Sequence, residues 1–378
     1  MADSAPRKKS YLHHVTKPEQ KKVALFSHLG DFEEEAPEDV HWSFKIAGLK
    51  MKQGKIFGGN SRCRAFLEAF KTFVEEYTLP ETVAFSRDLE SKLDEYTDYI
   101  RKCRPLCFGM ETAVEFLKFK ITQIPLNVDE KLIKEWLKKQ ISSFIRDKIL
   151  TPVSLIAEKG SEIITNGDVI LIYGRSTSVL ETLLKAKKDG KQFRVVVADS
   201  RPFFEAREVL NTLSKAEIHC TYVLINSISY HMLGVTRVFI GASGLTSNGF
   251  LVNRAGTALV CCIAHAFKKP VLVCCETYKF SEKVQIDSIC YNEVGDPNDL
   301  VNTQMFEGDT RLGTCLEDWK TRKNLLLLNL RYDLTPAEYI DMLITEVGCI
   351  PVTSVPVVIR EFSTDTQSTD ISQELANL

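Results

Sequence analysis

The sequence predicts an α/β fold class, in which an N-terminal helical domain is followed by a doubly wound, mostly parallel, Rossmann-like sheet. Between residues 58 and about 160, apolar residues recur with the spacing of a helix face. After Asn166 and Gly167 they form short continuous runs of Val, Ile and Leu, and helix-length segments separate several of these runs. Continuous apolar strands that alternate with helices are typical of a parallel sheet covered on both faces.

Four helices are predicted in the N-terminal half. The first begins at Asn60 or Ser61, either of which is a suitable N-cap, and the second has Ser86 as its candidate cap. A third follows the sequence CRPLCFGME, and a fourth reaches Ile145. The apolar positions that define these helices are Phe66, Leu67, Phe70, Phe73, Val74, Tyr77, Leu89, Leu93, Tyr96, Ile100, Val114, Leu117, Ile133, Trp136, Leu137, Ile141 and Phe144. Their aromatic stripes indicate core packing.

Six apolar runs are predicted strands: DVILIY (168–173), RVVVA (194–198), HCTYVLI (219–225), RVFIGA (237–242), PVLVCC (270–275) and VPVVI (355–359). Helices are predicted between them over 178–188, 202–213 and 255–267. The chain therefore divides into an extended, partly disordered arm (1–50), a helical domain (51–160), a Rossmann-like α/β domain (161–361) and a disordered tail (362–378).

The composition describes a globular chain. Of 378 residues, 44% are hydrophobic and 26% are charged, and this length allows two domains with sizeable cores. The net charge of −2 gives no general attraction to nucleic acid or anionic lipid. No apolar segment suits a signal peptide or a membrane span, and eleven cysteines without a CxxC pair suit a reducing compartment. We expect a cytosolic protein with no membrane, direct nucleic-acid, metal or cofactor partner.

Small and polar residues follow several predicted strands, at the edge where doubly wound sheets bind ligands. Seven of them form a candidate ligand pocket: Arg175, Ser176, Arg201, Ser243, Asn248, Asn253 and Arg254. Arginines, together with the N-terminus of the helix after the loop 241–257, would suit an anion such as a phosphate. The alternative is that these arginines pair with carboxylates of the chain and only fix the loops.

The loop 241–257, GASGLTSNGFLVNRAGT, contains no carboxylate, cysteine or histidine to transfer a proton. Nearby, Asp199 is expected to cap the next helix or to pair with Arg201, and His231 and His265 lie in apolar segments that favour satisfied core histidines. The sequence also lacks the common nucleotide-binding, zinc-protease and hydrolase motifs. We therefore predict no catalytic residues.

Five segments identify a family resemblance. NGDVILIYG, VVVADSRPFFEAR, GASGLTSNGFLVNRAGT, PVLVCCETYKF and IPVTSVPVVIR, in this order, resemble the regulatory alpha, beta and delta subunits of eukaryotic translation initiation factor 2B. The resemblance extends from about residue 21 to 360, and KKVALFSHL and LLLLNLRYDLTP are most similar to the delta type. Such subunits share their fold with methylthioribose-1-phosphate and ribose-1,5-bisphosphate isomerases. Where the isomerases have a catalytic aspartate, this sequence has Ser243, and the position of their cysteine falls at or beside Gly174.

The resemblance implies a non-catalytic regulatory subunit of the guanine-nucleotide exchange factor for initiation factor 2, in a complex with alpha, beta, gamma and epsilon subunits. It also implies pairing with beta through the α/β domain, and a helical domain that helps to sense the phosphorylated alpha subunit of initiation factor 2. Two alternatives remain. One is a sensor of a sugar phosphate or nucleotide at the candidate pocket, and the other is a sugar-phosphate isomerase, which Ser243 and Gly174 disfavour.

Two surface features are candidates for partner contacts. Val23, Leu25 and Phe26 form an apolar island in a polar segment and are predicted to pack at a subunit junction, with fraying as the alternative. Arg87, in the first turn of the second helix, and Asp147, near the end of the fourth, are each unfavourable beside the helix dipole. By resemblance to delta subunits, both are expected on the surface that meets the alpha subunit of initiation factor 2; the alternative is plain solvation.

Overall fold

A computed structural model describes residues 23–29, 39–78, 85–125, 129–301, 316 and 318–365. The predicted fold class is confirmed, because a helical region precedes a seven-stranded, mostly parallel sheet. No helix among these residues combines the length and the apolar character that a membrane span requires. The same residues include no group of three or more His, Cys, Asp or Glu side chains placed to hold a metal ion.

Five helices form the N-terminal region: α1 (Trp42–Lys52), α2 (Gly59–Glu76), α3 (Phe85–Cys103), α4 (Phe108–Thr122) and α5 (Glu130–Phe144). Their apolar faces meet in one core, in which Phe44, Phe70 and Trp136 are almost fully buried. All the apolar positions that predict the four helices belong to this core. The aromatic stripes are therefore core residues, as predicted.

The beginnings of these helices differ from the predicted ones. Helix α1 lies within the segment 1–50, expected to be an extended arm, because its inner face packs into the helical core. The residue before α2 is Gly58, whose positive φ of 77° suits a glycine, so Asn60 and Ser61 lie inside the helix and do not cap it. Ser86 likewise lies within the first turn of α3.

Helix α5 ends at Phe144, within one residue of the predicted Ile145, but the helical chain does not end there. It continues as a π-helical segment, Ile145–Leu150, and then as α6 (Thr151–Ile163), which reaches the α/β domain through the buried Ile156. Asp147 therefore lies inside a continuous helix. The predicted clash between Asp147 and a free helix end is wrong, because the carbonyl groups of this turn face a further helical turn.

The α/β domain contains eleven described strands and six further helices. The strands are β1 (Val169–Tyr173), β2 (Arg194–Asp199), β3 (His219–Leu224), β4 (Arg237–Gly241), β5 (Gly244–Thr246), β6 (Leu251–Arg254), β7 (Val271–Cys274), β8 (Phe280–Ser281), β9 (Tyr332–Thr335), β10 (Met342–Thr345) and β11 (Gly348–Ile350). The helices are α7 (Thr177–Lys188), α8 (Ala206–Lys215), α9 (Ile228–Met232), α10 (Thr257–Ala266), α11 (Asn298–Val301) and α12 (Val355–Asp365).

The main sheet has the strand order β11-β10-β7-β4-β1-β2-β3. Its neighbours pair in parallel except β10 and β11, which are antiparallel. Leu171 and Val238 belong to the buried cluster on one face, and Ile170 and Phe239 to the cluster on the other. Burial of both faces explains why these strands read as continuous apolar runs. The parallel pairing of β1 and β2 places the loops that follow these strands together at one edge of the sheet.

A smaller sheet, of order β8-β5-β6-β9, was not predicted, because strands of two to four residues give no periodic signal. The prediction of a strand over 355–359 is wrong, since this run begins α12. Val355 and Val358 are buried while Val357 is half exposed, which is a helical pattern. Pro356 lies in the first turn, where a helix tolerates a missing N–H.

The helical and α/β domains meet at a buried polar cluster around Glu276. Its Oε1 accepts hydrogen bonds from Asn60 Nδ2 (2.8 Å) and Ser178 Oγ (2.7 Å), and its Oε2 lies 2.5 Å from Lys279 Nζ. Burial alone would raise the pKa of Glu276, but the Lys279 charge and these hydrogen bonds outweigh it and lower the pKa. The cluster thus ties the first turn of α2 to the first turn of α7.

Candidate functional site

The rim cleft is a narrow, open cleft at the carboxyl ends of β1 and β2. Its walls include Tyr173 and Asp199 from the strand ends, together with Arg201, Arg254 and Arg331. Of the seven predicted pocket residues, Arg201 and Arg254 line this cleft and the other five do not. Arg201 is exposed there. Three arginines at one edge of a parallel sheet form an electropositive cleft, but its chemistry depends on how each arginine is paired.

Arg254 is already paired within the chain. Its Nη2 lies 2.7 Å from Glu205 Oε1 and its Nε donates to Glu205 Oε2 at 3.1 Å, which is the two-pronged geometry typical of arginine and carboxylate. The guanidinium also lies 5.4 Å from the ring centroid of Tyr332. Both partners are more than four-fifths buried, so the pair fixes the loop before α8 against the end of β6.

Arg331 is a cleft residue that sequence reasoning missed. Its guanidinium stacks 4.5 Å from the ring centroid of Phe203, and its Nε lies 3.4 Å from Glu293 Oε1. Glu293 also accepts from Arg104 Nε at 2.7 Å and lies 3.9 Å from Arg62, so this single carboxylate faces three arginines. Burial lowers the pKa of Arg331, against the opposing effect of Glu293. Nothing near Arg331 in sequence indicates this role.

The N-terminus of α10, predicted to face a bound anion, already holds a carboxylate of the chain. Asp333 Oδ2 accepts from the backbone N–H of Gly256 (2.7 Å) and of Ala258 (2.9 Å). Burial raises the pKa of Asp333 to about 7, although these backbone hydrogen bonds act in the opposite direction. The helix end is therefore occupied by a group 77 positions away from Gly256 in sequence.

The loop residues Ser243, Asn248 and Asn253 fix backbone geometry. Ser243 Oγ donates to Asn253 Oδ1 at 3.3 Å, and Asn253 Nδ2 donates to the carbonyl of Gly241 at 2.9 Å. Asn248 Nδ2 donates to the carbonyl of Gln285 at 2.7 Å. These side chains hold the turns between β4, β5 and β6 and do not point together at one ligand.

The side chains of the loop after β1 also bind other groups of the chain. Ser176 caps α7, since its Oγ accepts from the N–H of Val179 at 3.5 Å. Arg175 Nη1 lies 2.6 Å from Glu208 Oε2 on the exposed surface. Arg175 and Arg254 thus favour the alternative stated from the sequence, in which the arginines pair with carboxylates of the chain, whereas Arg201 is exposed and has no ion pair among the described residues.

Asp199, the last residue of β2, is a buried acid with a raised pKa. Burial raises its pKa, while hydrogen bonds from the N–H groups of Ser200 and Ala206 and from the hydroxyl of Tyr222 oppose the rise. Ala206 is the first residue of α8, so Asp199 does help to cap that helix, as one of the two predictions had it. No ion pair joins it to Arg201 among the described residues.

The predicted partner-contact residues lie at three separate places. In the island, Phe26 is buried and Leu25 is 56% exposed, and the neighbouring His28 Nε2 lies 3.0 Å from the carbonyl of Ile289. Val23 is partly buried beside them.

On the helical domain, Arg87 is exposed in the first turn of α3, as predicted. Asp147 accepts from Arg146 Nε at 2.8 Å and from Ser143 Oγ at 2.6 Å, and these hydrogen bonds lower its pKa.

Comparison with known proteins identifies the family. Residues 55–352 match the model of the initiation factor 2 subunit family. The chain is 42% identical over 349 residues to translation initiation factor eIF2B subunit delta of Schizosaccharomyces pombe, covering 91% of this chain and 74% of that protein. Identity to the same subunit of Dictyostelium discoideum is 39% over 354 residues, covering 90% of this chain and 56% of that protein.

More distant relatives include an enzyme. Ribose 1,5-bisphosphate isomerase of Pyrococcus furiosus is 28% identical over 310 residues, covering 82% of this chain and 90% of that protein. Among solved structures, the tetrameric eIF2B-beta2-delta2 complex from Chaetomium thermophilum contains a similar chain, with a TM-score of 0.75 at 31% identity over 86% of this chain and 97% of that chain. The chain therefore belongs to the initiation factor 2 subunit family, and within it resembles the delta subunits of eIF2B.

Proposed function

We propose that the chain is a non-catalytic regulatory subunit of the guanine-nucleotide exchange factor for translation initiation factor 2, and that it acts in the cytosol. The observation that carries this proposal is the state of the rim cleft. The positions that the isomerases use for proton transfer hold Ser243 and Gly174, and neither supplies an acid or base near neutral pH. Glu205 and Asp333 already occupy, from within the chain, the Arg254 guanidinium and the N-terminus of α10 that a phosphate would use.

An assay for isomerase turnover tests this proposal. We expect no product from ribose-1,5-bisphosphate or methylthioribose-1-phosphate. The variant Gly174→Cys with Ser243→Asp should also be inactive, because Arg254 stays paired with Glu205 and Asp333 still occupies the N-terminus of α10. Turnover by the unmodified chain that is lost in Arg254→Leu would contradict the proposal.

We further propose that the chain pairs with a beta-type subunit through the α/β domain. Exposed apolar side chains on α9, α10 and their flanks support this: Tyr230, Leu233, Leu259 and Phe267. Such a patch is unusual on a monomer and is typical of a protein interface. The similar chain in a solved beta-delta complex gives the class of partner. The partners proposed for the assembly are the alpha, beta, gamma and epsilon subunits.

Co-expression with a beta-type subunit tests the pairing. The unpartnered chain should self-associate, and the partner should render it monodisperse. Leu233→Asp should abolish the pairing without lowering the melting temperature, since the side chain is already 74% exposed. Leu25→Asp should likewise loosen a subunit contact and leave the fold intact. A stable monomer that ignores the partner would exclude obligate pairing.

We also propose that the helical domain contributes to sensing the phosphorylated alpha subunit of initiation factor 2. The exposed Arg87 supports this, because a cation in the first turn of a helix is unfavourable for the helix itself. An external partner that carries negative charge would offset that cost. Asp147 supports it less directly, since Arg146 and Ser143 already satisfy its carboxylate.

A second candidate function is a sensor of a sugar phosphate or nucleotide at the rim cleft. It is favoured by buried guanidinium nitrogens of Arg254 and Arg331, both Nη1, that have no hydrogen-bond partner among the described residues. Thermal unfolding with orthophosphate, ribose 5-phosphate and nucleoside monophosphates tests it. A true ligand at about 100 times its Kd adds about 2.7 kcal/mol. Stabilisation that is lost in Arg254→Leu would support the sensor.

A further inference from the structure

Helix α12 lies beside an open groove on the surface of the α/β domain. The groove is lined by Ser247, Glu282, Pro356, Ile359 and Arg360. The last three have the spacing i, i+3 and i+4, so one wall of the groove is a single face of α12. The opposite wall is the segment that follows β8, a strand against which α12 packs.

Both walls carry exposed apolar side chains. Val284 and Ile286, on the segment after β8, are 63% and 80% exposed, and Val357 on α12 is 51% exposed. Gln285, between the first two, is buried, so the side chains of this segment alternate between inside and outside. Val284, Ile286 and Val357 are here called the α12 patch.

The backbone under the α12 patch is held in place. Ser247 Oγ donates to the carbonyl of Glu282 at 3.0 Å, and the Ser247 N–H donates to the carbonyl of Lys283 at 3.1 Å. Asn248 Nδ2 donates to the carbonyl of Gln285 at 2.7 Å. Covering a surface that is already ordered costs little conformational entropy. The patch is therefore suited to packing against another apolar surface.

The sequence beyond α12 contains a matching apolar pattern. In residues 366–378, TQSTDISQELANL, the apolar residues Ile371, Leu375 and Leu378 recur at i, i+4 and i+7, which is the spacing of one helix face. Asp370 comes before this run and Gln373 follows it by three positions, a pattern typical of a helix N-terminus. Eight residues are too few for a stable helix in water, so such a helix forms only against another surface.

The connection between α12 and this pattern is short enough to bring the two together. Residues 366–370 form a link of five residues, a length typical of the loops between antiparallel helices. Five extended residues span about 17 Å, and Arg360 lies only about 7.5 Å back along α12 from Asp365. A tethered segment also has an effective concentration near its site on the order of millimolar.

We propose that residues 371–378 form a short amphipathic helix that turns back along α12 and covers the α12 patch of the same chain. Ile371, Leu375 and Leu378 face Val284, Ile286 and Val357. The contact lies within one chain, so it does not depend on the proposed regulatory function. A neighbouring subunit is the competing occupant of the patch, and the test distinguishes it.

Site-specific photo-crosslinking tests the proposal. A benzophenone amino acid replaces Leu375 in the full chain, which is co-expressed with a beta-type subunit. We expect cross-links within the same chain, to residues 282–286 or 356–360, identified by mass spectrometry of the digested product. The matched control position is Asn377, about 200° around the helix from Leu375, which should not join these segments.

Hydrogen exchange makes the same test without the probe. The backbone N–H groups of residues 374–378 should exchange about tenfold more slowly in the full chain than in a free peptide of residues 366–378, which corresponds to about 1.4 kcal/mol in favour of docking. Ile286→Asp and Leu375→Asp should each restore the rate of the peptide. Val347→Asp, at a half-exposed position outside the groove, should leave the slow exchange unchanged.

Two results would overturn the proposal. One is exchange of residues 374–378 at the rate of the free peptide, because the segment then has no docked state. The other is a set of cross-links from position 375 to a different chain, recognised by the mass of the product, because these would assign the segment to a contact between subunits. Neither result would affect the proposed regulatory function.

Discussion

The rim cleft and the outer surface of the helical domain use charged side chains in opposite ways. At the rim, Glu205 pairs with Arg254, and Asp333 occupies the N-terminus of α10. On the helical domain, Arg87 is exposed and has no hydrogen-bond partner among the described residues. We infer that charge at the rim holds the fold together while charge on the helical surface is open to partners. Substitutions should change stability at the rim and binding on the helical surface.

The largest effect on stability is expected at the Glu276 cluster, where the helical domain meets the α/β domain. Glu276→Ala should lower the free energy of unfolding by about 3–5 kcal/mol, because it leaves Lys279 buried without its carboxylate. Urea unfolding measures the change. The control is Glu282→Ala, a nearby exposed acid, which should cost less than about 0.5 kcal/mol. Equal effects of the two variants would mean that the Glu276 cluster does not hold the domains together.

The second prediction is a pH dependence at the rim. The carboxyl of Asp333 takes up its proton at about pH 7 in the folded chain and at about pH 3.9 in the unfolded chain. Between these values the folded state binds more protons, so this group makes stability fall as pH rises. Asp333→Asn should remove that slope, which is about 1.4 kcal/mol per pH unit at most.

Urea unfolding at several pH values between about 4.5 and 6.5 measures this slope, in a window that follows from the two pKa values. Asp341→Asn is the matched control, because Asp341 also accepts a backbone N–H, from Val271 at 2.7 Å. If Asp333→Asn follows the parent chain at every pH, the raised pKa of Asp333 is wrong.

A smaller loss of stability is expected from the arginine pair of the cleft. Glu205→Ala should cost about 1–3 kcal/mol, because Arg254 is mostly buried and loses both of its contacts with the carboxylate. The freed guanidinium should also bind orthophosphate, so phosphate should stabilise this variant more than the parent. Glu208→Ala, which frees the exposed Arg175, should change stability by less than about 0.5 kcal/mol. If Glu205→Ala leaves the free energy of unfolding unchanged, the ion pairs of the rim do not stabilise the fold, and the rim does not differ from the helical surface in this respect.

Sequence periodicity predicted the elements that are long and buried. The runs that became β1, β2, β4 and β7 were correct to within about two residues, because burial of both faces leaves a continuous apolar signal. The run 355–359 was ambiguous, since a short apolar segment suits either a strand or the buried side of a helix.

The candidate site shows a different limit of sequence reasoning. Arg201 and Arg254 line the cleft, at the edge of the sheet where the strands end. Whether such an arginine is free or paired depends on distant residues. Glu205 is 49 positions from Arg254, and Asp333 is 77 positions from Gly256, so no local pattern connects them. The folded chain was needed to distinguish a phosphate receptor from a set of internal ion pairs.

The smallest effect on stability is expected at Arg87, together with a large effect on regulation. Arg87→Glu places an acid in the first turn of α3, which adds about 0.3–1 kcal/mol of favourable dipole interaction at most. Basal nucleotide exchange should be unchanged, because the resemblance assigns exchange catalysis to another subunit. Inhibition by the phosphorylated alpha subunit of initiation factor 2 should weaken, because the variant repels negative charge. Asp147→Lys should change the inhibition less than Arg87→Glu does, since Arg146 already neutralises that carboxylate.

Exchange assays of the assembled complex, with and without the phosphorylated protein, decide between a sensing role and plain solvation for Arg87. The matched control is Arg64→Glu, which reverses an exposed charge on α2 of the same domain. If Arg87→Glu and Arg64→Glu reduce inhibition equally, the effect comes from the overall charge of the domain. Full inhibition of the Arg87→Glu complex would place Arg87 outside the sensing surface and would remove the contrast between a paired rim and an open helical face.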